Sequence, residues 1–286
     1  MNISKSYKRN KSFFSSLKIT SYITTIISLI CLFAIILYVL IKGIPHLSFD
    51  LLFGTYGDTP SIFPAFIGTL ELVAISIAIA APIGIFSAIF LVEYVNTKSI
   101  VVRIIRLATE TLAGIPSIVY GLFGYLIFVV GMGWGYSILG GSITLSIMVL
   151  PVIVRSTEES LLAVPNALRE GSYALGTSKV RTIFKIILPC ASPGIVTSLI
   201  LAIGRVVSES AVLILTIGMV VNKVPSSLLS AGTSLALDIY YFASYGYPNE
   251  AAATSVVLLL FIIVINLSAT LIGNLLRKGK NFNECY

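Results

Sequence analysis

The chain has 286 residues, 57% of them apolar and only 11% charged, less than half the roughly 25% charge of an ordinary soluble domain. That composition excludes a water-soluble globular fold. A formal net charge of +7 does not by itself indicate a nucleic-acid partner, because where the charges sit decides what they do.

Apolar stretches longer than the ~18 residues that mark a membrane-crossing helix recur along the chain, since about 20 residues at 1.5 Å rise cross a ~30 Å hydrocarbon layer. Six are predicted, at 20–41, 66–91, 112–130, 137–154, 195–218 and 254–275. The first follows a basic, polar start, but it is 22 residues long with no A-x-A-like cleavage site after it, so it reads as a retained helix. The expected organisation is a cytoplasmic tail at 1–19, an all-α polytopic transmembrane domain at 20–276 with a cytoplasmic loop at 155–193, and a second tail at 277–286. Cys31, Cys190 and Cys285 lie far apart without metal-ligand spacing and read as packing residues.

Sixteen of the nineteen basic residues fall in four segments: before the first span, between the second and third, after the fourth and after the sixth. Basic loops stay cytoplasmic, so six spans with both termini inside satisfy every connection. The segments left outside, 42–64 and 219–253, carry few charges but several Tyr, Phe, Pro and Gly residues, which suits interfacial loops and short surface helices.

The loop at 155–193 is too polar to span and too patterned to be a linker. Pro165 and Asn166 form a helix start signal, and a first helix through Leu168, Glu170 and Leu175 is expected to stop at Gly176, which can take the left-handed geometry of a helix terminus. Thr177 or Ser178 can cap a second helix, where Val180, Ile183, Phe184 and Ile187 make one apolar stripe and Pro189 is the expected end. Such a pair either lies on the membrane surface or docks into a partner protein.

Glu170, Gly171, Ser172, Gly176, Ile186, Leu188 and Pro189 fit E-A-A-x3-G-x9-I-x-L-P at every anchor except the two alanines, which small residues replace. The string resembles the cytoplasmic loop of binding-protein-dependent ABC importer permeases. The resemblance implies a type I importer permease (MetI-like) fold in which this loop couples to a separate ATPase subunit. The chain carries no G-x4-G-K-[ST] loop of its own: its only Gly-Lys pair, Gly279-Lys280, is followed by Asn281.

Further segments are similar to phosphate permeases of the PstA type: 67–70 (IGTL), 91–94 (LVEY), 112–121 (LAGIPSIVYG), 155–159 (RSTEE), 202–205 (AIGR) and 237–241 (LDIYY). That likeness implies a phosphate-importer pore in the bacterial cytoplasmic membrane. Its partners would be a second permease of the PstC type, two ATPase subunits of the PstB type and an external phosphate-binding protein of the PstS type. No cofactor, metal, catalytic residue or nucleic acid is expected.

Arg205 lies about ten residues into the fifth predicted span, roughly 15 Å along it and near mid-membrane. A charge there costs ~2.5 to 3.5 kcal/mol to insert, so it must face a partner or a watery path. Glu209 follows at i+4 and shares its face on a continuous helix. Two readings stand: an internal salt bridge that makes the helix insertable, or a guanidinium matched to a tetrahedral oxyanion and masked by Glu209 when the path is empty. Glu71 reads as interfacial or bonded between subunits, and nothing near His46 makes it a ligand. The glycines at 131–141 read as a tight outer turn.

Two other functions compete. A permease for sulfate, molybdate or another solute would share all these features, and the 112–121 segment favours phosphate over it. A secondary transporter or membrane-embedded enzyme would need clustered intramembrane carboxylates or histidines, which the sequence does not offer.

Overall fold

The computed structural model describes residues 3–54, 60–95 and 99–278. Lys98, Lys280 and Cys285, and the tail from 279 onward, lie outside the described residues. All regular structure among those described is helical. In chain order the helices are α1 (Ile3–Gly43), α2 (Phe49–Phe53), α3 (Phe63–Ile89), α4 (Ile100–Ala113), α5 (Ser117–Gly124), α6 (Ile138–Leu162), α7 (Asn166–Ala174), α8 (Lys179–Thr182), α9 (Leu188–Val207), α10 (Ala211–Thr216), α11 (Leu235–Ser244) and α12 (Pro248–Lys278). π-Helical turns extend α3 through Phe90–Tyr94 and α5 through Tyr125–Gly131, and a third, Ile183–Ile187, joins α8 to α9. Serines at 48, 99, 137, 178 and 234 cap α2, α4, α6, α8 and α11, each hydroxyl accepting from an amide of the first turn.

Among the described residues five helices are long and apolar enough to cross a membrane, and the number is six when the bent pair α4–α5 counts as one. The packing fits alternating passes. Ser76 of α3 donates to the Ser142 carbonyl of α6 and Gly84 abuts Ile153, so those two helices run parallel. Gly194 and Ser198 of α9 meet Ser160 and Thr157 of α6 in antiparallel sense. The second and fourth predicted spans should be parallel, and the fourth and fifth antiparallel, as observed. The core centres on α6, with Leu145, Val149 and Ile153 wholly buried between α3 and α9–α10. No residue is buried in the window of α1 that could cross the membrane, so its apolar surface suits lipid or another chain.

Four expectations are corrected. The third span does not begin at 112: Leu112 and Ala113 close α4, and α5 leaves it at 98° after Gly114, Ile115 and Pro116. Pro116 lacks an N–H and restricts the residue before it, so the helix cannot run through. The Tyr120 hydroxyl donates to the Leu112 carbonyl, satisfying one acceptor freed by the break. Second, the fourth span extends past 154 to Leu162, and the 1–19 segment is helical from Ile3, so the loop and tail read from charge are partly helical extensions. Third, Pro189 does not end the second hairpin helix: Lys179–Val207 is one helical run of 29 residues. The π turn just ahead of the proline rearranges the hydrogen bonding where the missing N–H would break an α-helix.

Fourth, the outer segment near 235 is no surface helix, because Leu235, Leu237 and Asp238 are fully buried where the Thr69 hydroxyl accepts from the Leu235 amide. Thr233 donates to Asp238 Oδ1, and burial pushes the Asp238 carboxyl up to about 8, so it stays neutral at pH 7. The glycine-rich stretch makes the expected outer turn, with Gly133 and Gly135 at φ +67°. His46 meets the Lys42 carbonyl at 2.9 Å, and no group of three or more metal-ligating side chains occurs among the described residues.

The charge asymmetry gives a direct test of sidedness. With native cysteines replaced, single cysteines at the exposed positions Ser48 and Ser244 should react with an impermeant thiol reagent on intact cells, and one at Ser178 should react only after permeabilisation. Labelling of Ser178 in intact cells would reverse the assignment.

Candidate functional site: a projecting hairpin and an arginine at a helix break

The hairpin forms as its local signals dictate. Pro165 precedes α7, Leu175 closes it, and Gly176 turns the chain at φ +75° before Ser178 caps α8. A Cβ at Gly176 would meet nothing within 4 Å among the described residues, so backbone conformation and not crowding by them calls for the glycine. The two replaced alanines part company. Ser172 is buried, its hydroxyl 2.8 Å from that of Thr182, which knits α7 to α8. Gly171 and Glu170 are exposed, and a Cβ at Gly171 would also meet open space. Ile186 and Leu188 pack against a cluster containing Ile187, Leu161 and Ile89, and Pro189 sits where the hairpin becomes α9. The face turned away from the bundle presents Tyr173, Leu175, Val180 and Phe184, with Leu175 85% exposed.

Arg205 stands in the last turn of α9. Extending the antiparallel register of Ser198 with Thr157 along both helices brings Arg205 level with Leu150, the middle of α6. The expected pairing does not hold. The helix ends at Val207, the chain unwinds through Ser208–Ser210, and α10 begins at Ala211. Glu209 therefore is not one turn along the same face: its Oε1 accepts from the Ala211 and Val212 amides at 3.0 and 3.3 Å and tethers the start of α10. Among the described residues Arg205 forms no ion pair, and it lies within Coulombic reach of the Tyr120 hydroxyl. Irregular backbone at membrane depth is tolerated where it is buried in protein or lines a watery cavity. A partly exposed, unpaired guanidinium beside such a break can hold an oxyanion by charge-assisted hydrogen bonds.

Two residues that sequence reasoning passed over stand out. Arg169 of α7 and Glu93 in the turn closing α3 form a buried ion pair at 2.9 Å, with side chains 14% and 5% exposed. Glu93 stood in a quoted family-like segment and Arg169 adjoined the loop motif, but nothing local joins positions 76 residues apart. Elsewhere on this side Arg106 donates to Glu158 at 2.8 Å, and Arg155 reaches Glu110 and Glu159 on the surface. Glu71 Oε2 is buried without a partner among the described residues.

A helical bundle with alternating passes, a helix broken at mid-depth and a projecting hairpin is the type I ABC importer permease fold. A chain of a bacterial alginate ABC transporter, crystallised with an alginate pentasaccharide-bound periplasmic protein, matches with a TM-score of 0.65 at 18% identity, over 94% of this chain and 96% of that one. A chain of the MetNI methionine ABC transporter in an inward-facing conformation matches at 0.60 and 20% identity, over 75% of this chain and 94% of that one.

Residues 80–281 match the family described as binding-protein-dependent transport system inner membrane component, and the chain belongs to that family. Among curated relatives, the probable ABC transporter permease protein YqgI of Bacillus subtilis is 33% identical, over 86% of this chain and 90% of its own length. The phosphate transport system permease protein PstA of Xylella fastidiosa is 32% identical over 85% of each chain. PstA 1 of Mycobacterium tuberculosis is 33% identical over 74% of this chain and 70% of its own.

Proposed function

We propose that this chain is a pore subunit of an ATP-driven phosphate importer in the bacterial cytoplasmic membrane. The observation that carries the reading is Arg205: a guanidinium without a carboxylate partner among the described residues, at a break in the helix that leads from the hairpin. Relatives named as phosphate transport permeases, alike over most of their length, support the solute. The exposed apolar tip of the hairpin is the docking surface for a separate ATPase subunit, which hydrolyses the ATP. A PstC-type second permease, two PstB-type ATPase subunits and a PstS-type phosphate-binding protein complete the assembly. Alternating access then carries phosphate past Arg205, and the charge that attracts the anion is single, so release stays possible.

Reconstitution of the four-component complex in liposomes decides among the alternatives. Labelled phosphate should enter only with internal ATP and external binding protein, with sulfate and molybdate excluded. Preferential entry of sulfate or molybdate would reassign the solute, and uptake driven by an ion gradient without ATP would replace the mechanism.

A further inference from the structure

The Arg169 guanidinium has five N–H groups, and each has an acceptor. Nε and Nη2 donate to Glu93 Oε1 at 3.0 and 2.9 Å; Nη2 also donates to the Leu161 carbonyl at 2.9 Å; Nη1 donates to the Val164 carbonyl at 2.7 Å and to Asn166 Oδ1 at 3.2 Å. One side chain thus ties together the end of α3, the end of α6 and the first turn of α7. Lysine, with three donors on a single point, cannot reproduce the planar fork.

A second contact joins the other half of the hairpin to the same turn. Lys179, the first residue of α8, holds its ammonium 4.9 Å from the centre of the Tyr94 ring, and Tyr94 stacks on Phe90. Both hairpin helices therefore grip Phe90–Tyr94, the π-helical end of α3. Beneath them Ala88 and Ile89 share a buried cluster with Ile183 and Ile187 of the hairpin. Tyr173, Leu175, Val180 and Phe184 of the hairpin stay exposed, Leu175 above all.

We propose that Arg169 and Glu93 are positioning residues for energy coupling: they form the joint that makes the hairpin and the cytoplasmic end of α3 move as one body, while touching neither nucleotide nor solute. This rests on the hairpin being the ATPase-docking element. A displacement imposed at Leu175 then leaves the hairpin by two routes, through the helical run into α9 and through the joint into α3. The two walls that flank α6 shift together, as a path that opens on one side while closing on the other requires.

The test uses the complete reconstituted complex, with uptake verified and native cysteines replaced. Spin labels at Ala167 on α7 and Phe86 on α3, both exposed, should keep one interspin distance in the nucleotide-free and vanadate-trapped states. In the Glu93→Gln complex, which keeps an acceptor oxygen but loses the charge, the distance distribution should broaden. Solute imported per ATP hydrolysed should fall about tenfold at unchanged thermal stability and ATPase subunit content. A distance that changes between states in the active parent complex overturns the proposal, whatever the variants do. So does a Glu93→Gln complex with the parental import-to-hydrolysis ratio. If the ATPase subunit proved not to contact the hairpin at all, cross-linking from Leu175 would fail, a result separate from either of these.

Discussion

Arg205→Gln is expected to lower phosphate uptake by the reconstituted complex about ten- to a hundredfold, the loss that follows from removing charge-assisted hydrogen bonds of roughly 1.5 to 3 kcal/mol. Insertion should not suffer, since the substitution removes a mid-membrane charge that costs ~2.5 to 3.5 kcal/mol to place. Arg205→Lys should fall between, keeping the charge and losing the fork. Glu209→Gln should be the mildest, because a carboxamide oxygen can still accept from Ala211 and Val212. Initial uptake rates at matched complex density check the series. Parental rates in Arg205→Gln would remove Arg205 from the path. A larger loss in Glu209→Gln than in Arg205→Gln would mean that the start of α10, and not the guanidinium, governs passage.

Gly176 carries the second large effect. At φ +75° a β-branched side chain is excluded, alanine costs about 1 to 2 kcal/mol, and asparagine is tolerated because its short amide suits the left-handed region. Gly176→Val should therefore abolish binding-protein-stimulated ATP hydrolysis and uptake together, with normal amounts of chain in the membrane. Gly176→Asn should keep most of both. Among the described residues nothing crowds the position, so backbone geometry sets the order Asn above Ala above Val. If Asn were as damaging as Val, the partner would be packing directly on the glycine, and the hairpin tip would be tighter in the assembly than the isolated fold requires.

The hairpin was legible because its determinants are local: a proline before α7, a glycine after it, a serine before α8 and an apolar stripe of helical period. The spans were legible for the same reason, hydropathy being a property of consecutive residues. What hydropathy hides is a break inside an apolar run. Ser208, Glu209 and Ser210 ahead of 211–216 are themselves a helix start signal, but the surrounding residues are so uniformly apolar that 195–218 reads as one span. The bend at Pro116 was masked likewise by apolar neighbours on both sides. Pro189 erred the other way, because a stop signal can be absorbed by a π turn that no composition announces. The Arg169–Glu93 pair lay beyond reach altogether, since two charges far apart in sequence become partners only once α3, α6 and α7 are packed.

The continuous run from Lys179 to Val207 has a geometric consequence. From Pro189 to Arg205 the arm measures about 24 Å at 1.5 Å per residue. A swing of only about 5° about Pro189 carries the guanidinium roughly 2 Å sideways, enough to turn a hydrogen-bonded contact of ~2.8 Å into none. On the proposed reading, a tilt imposed at the hairpin end of this arm would become a grip and a release at the other, without a side chain changing rotamer.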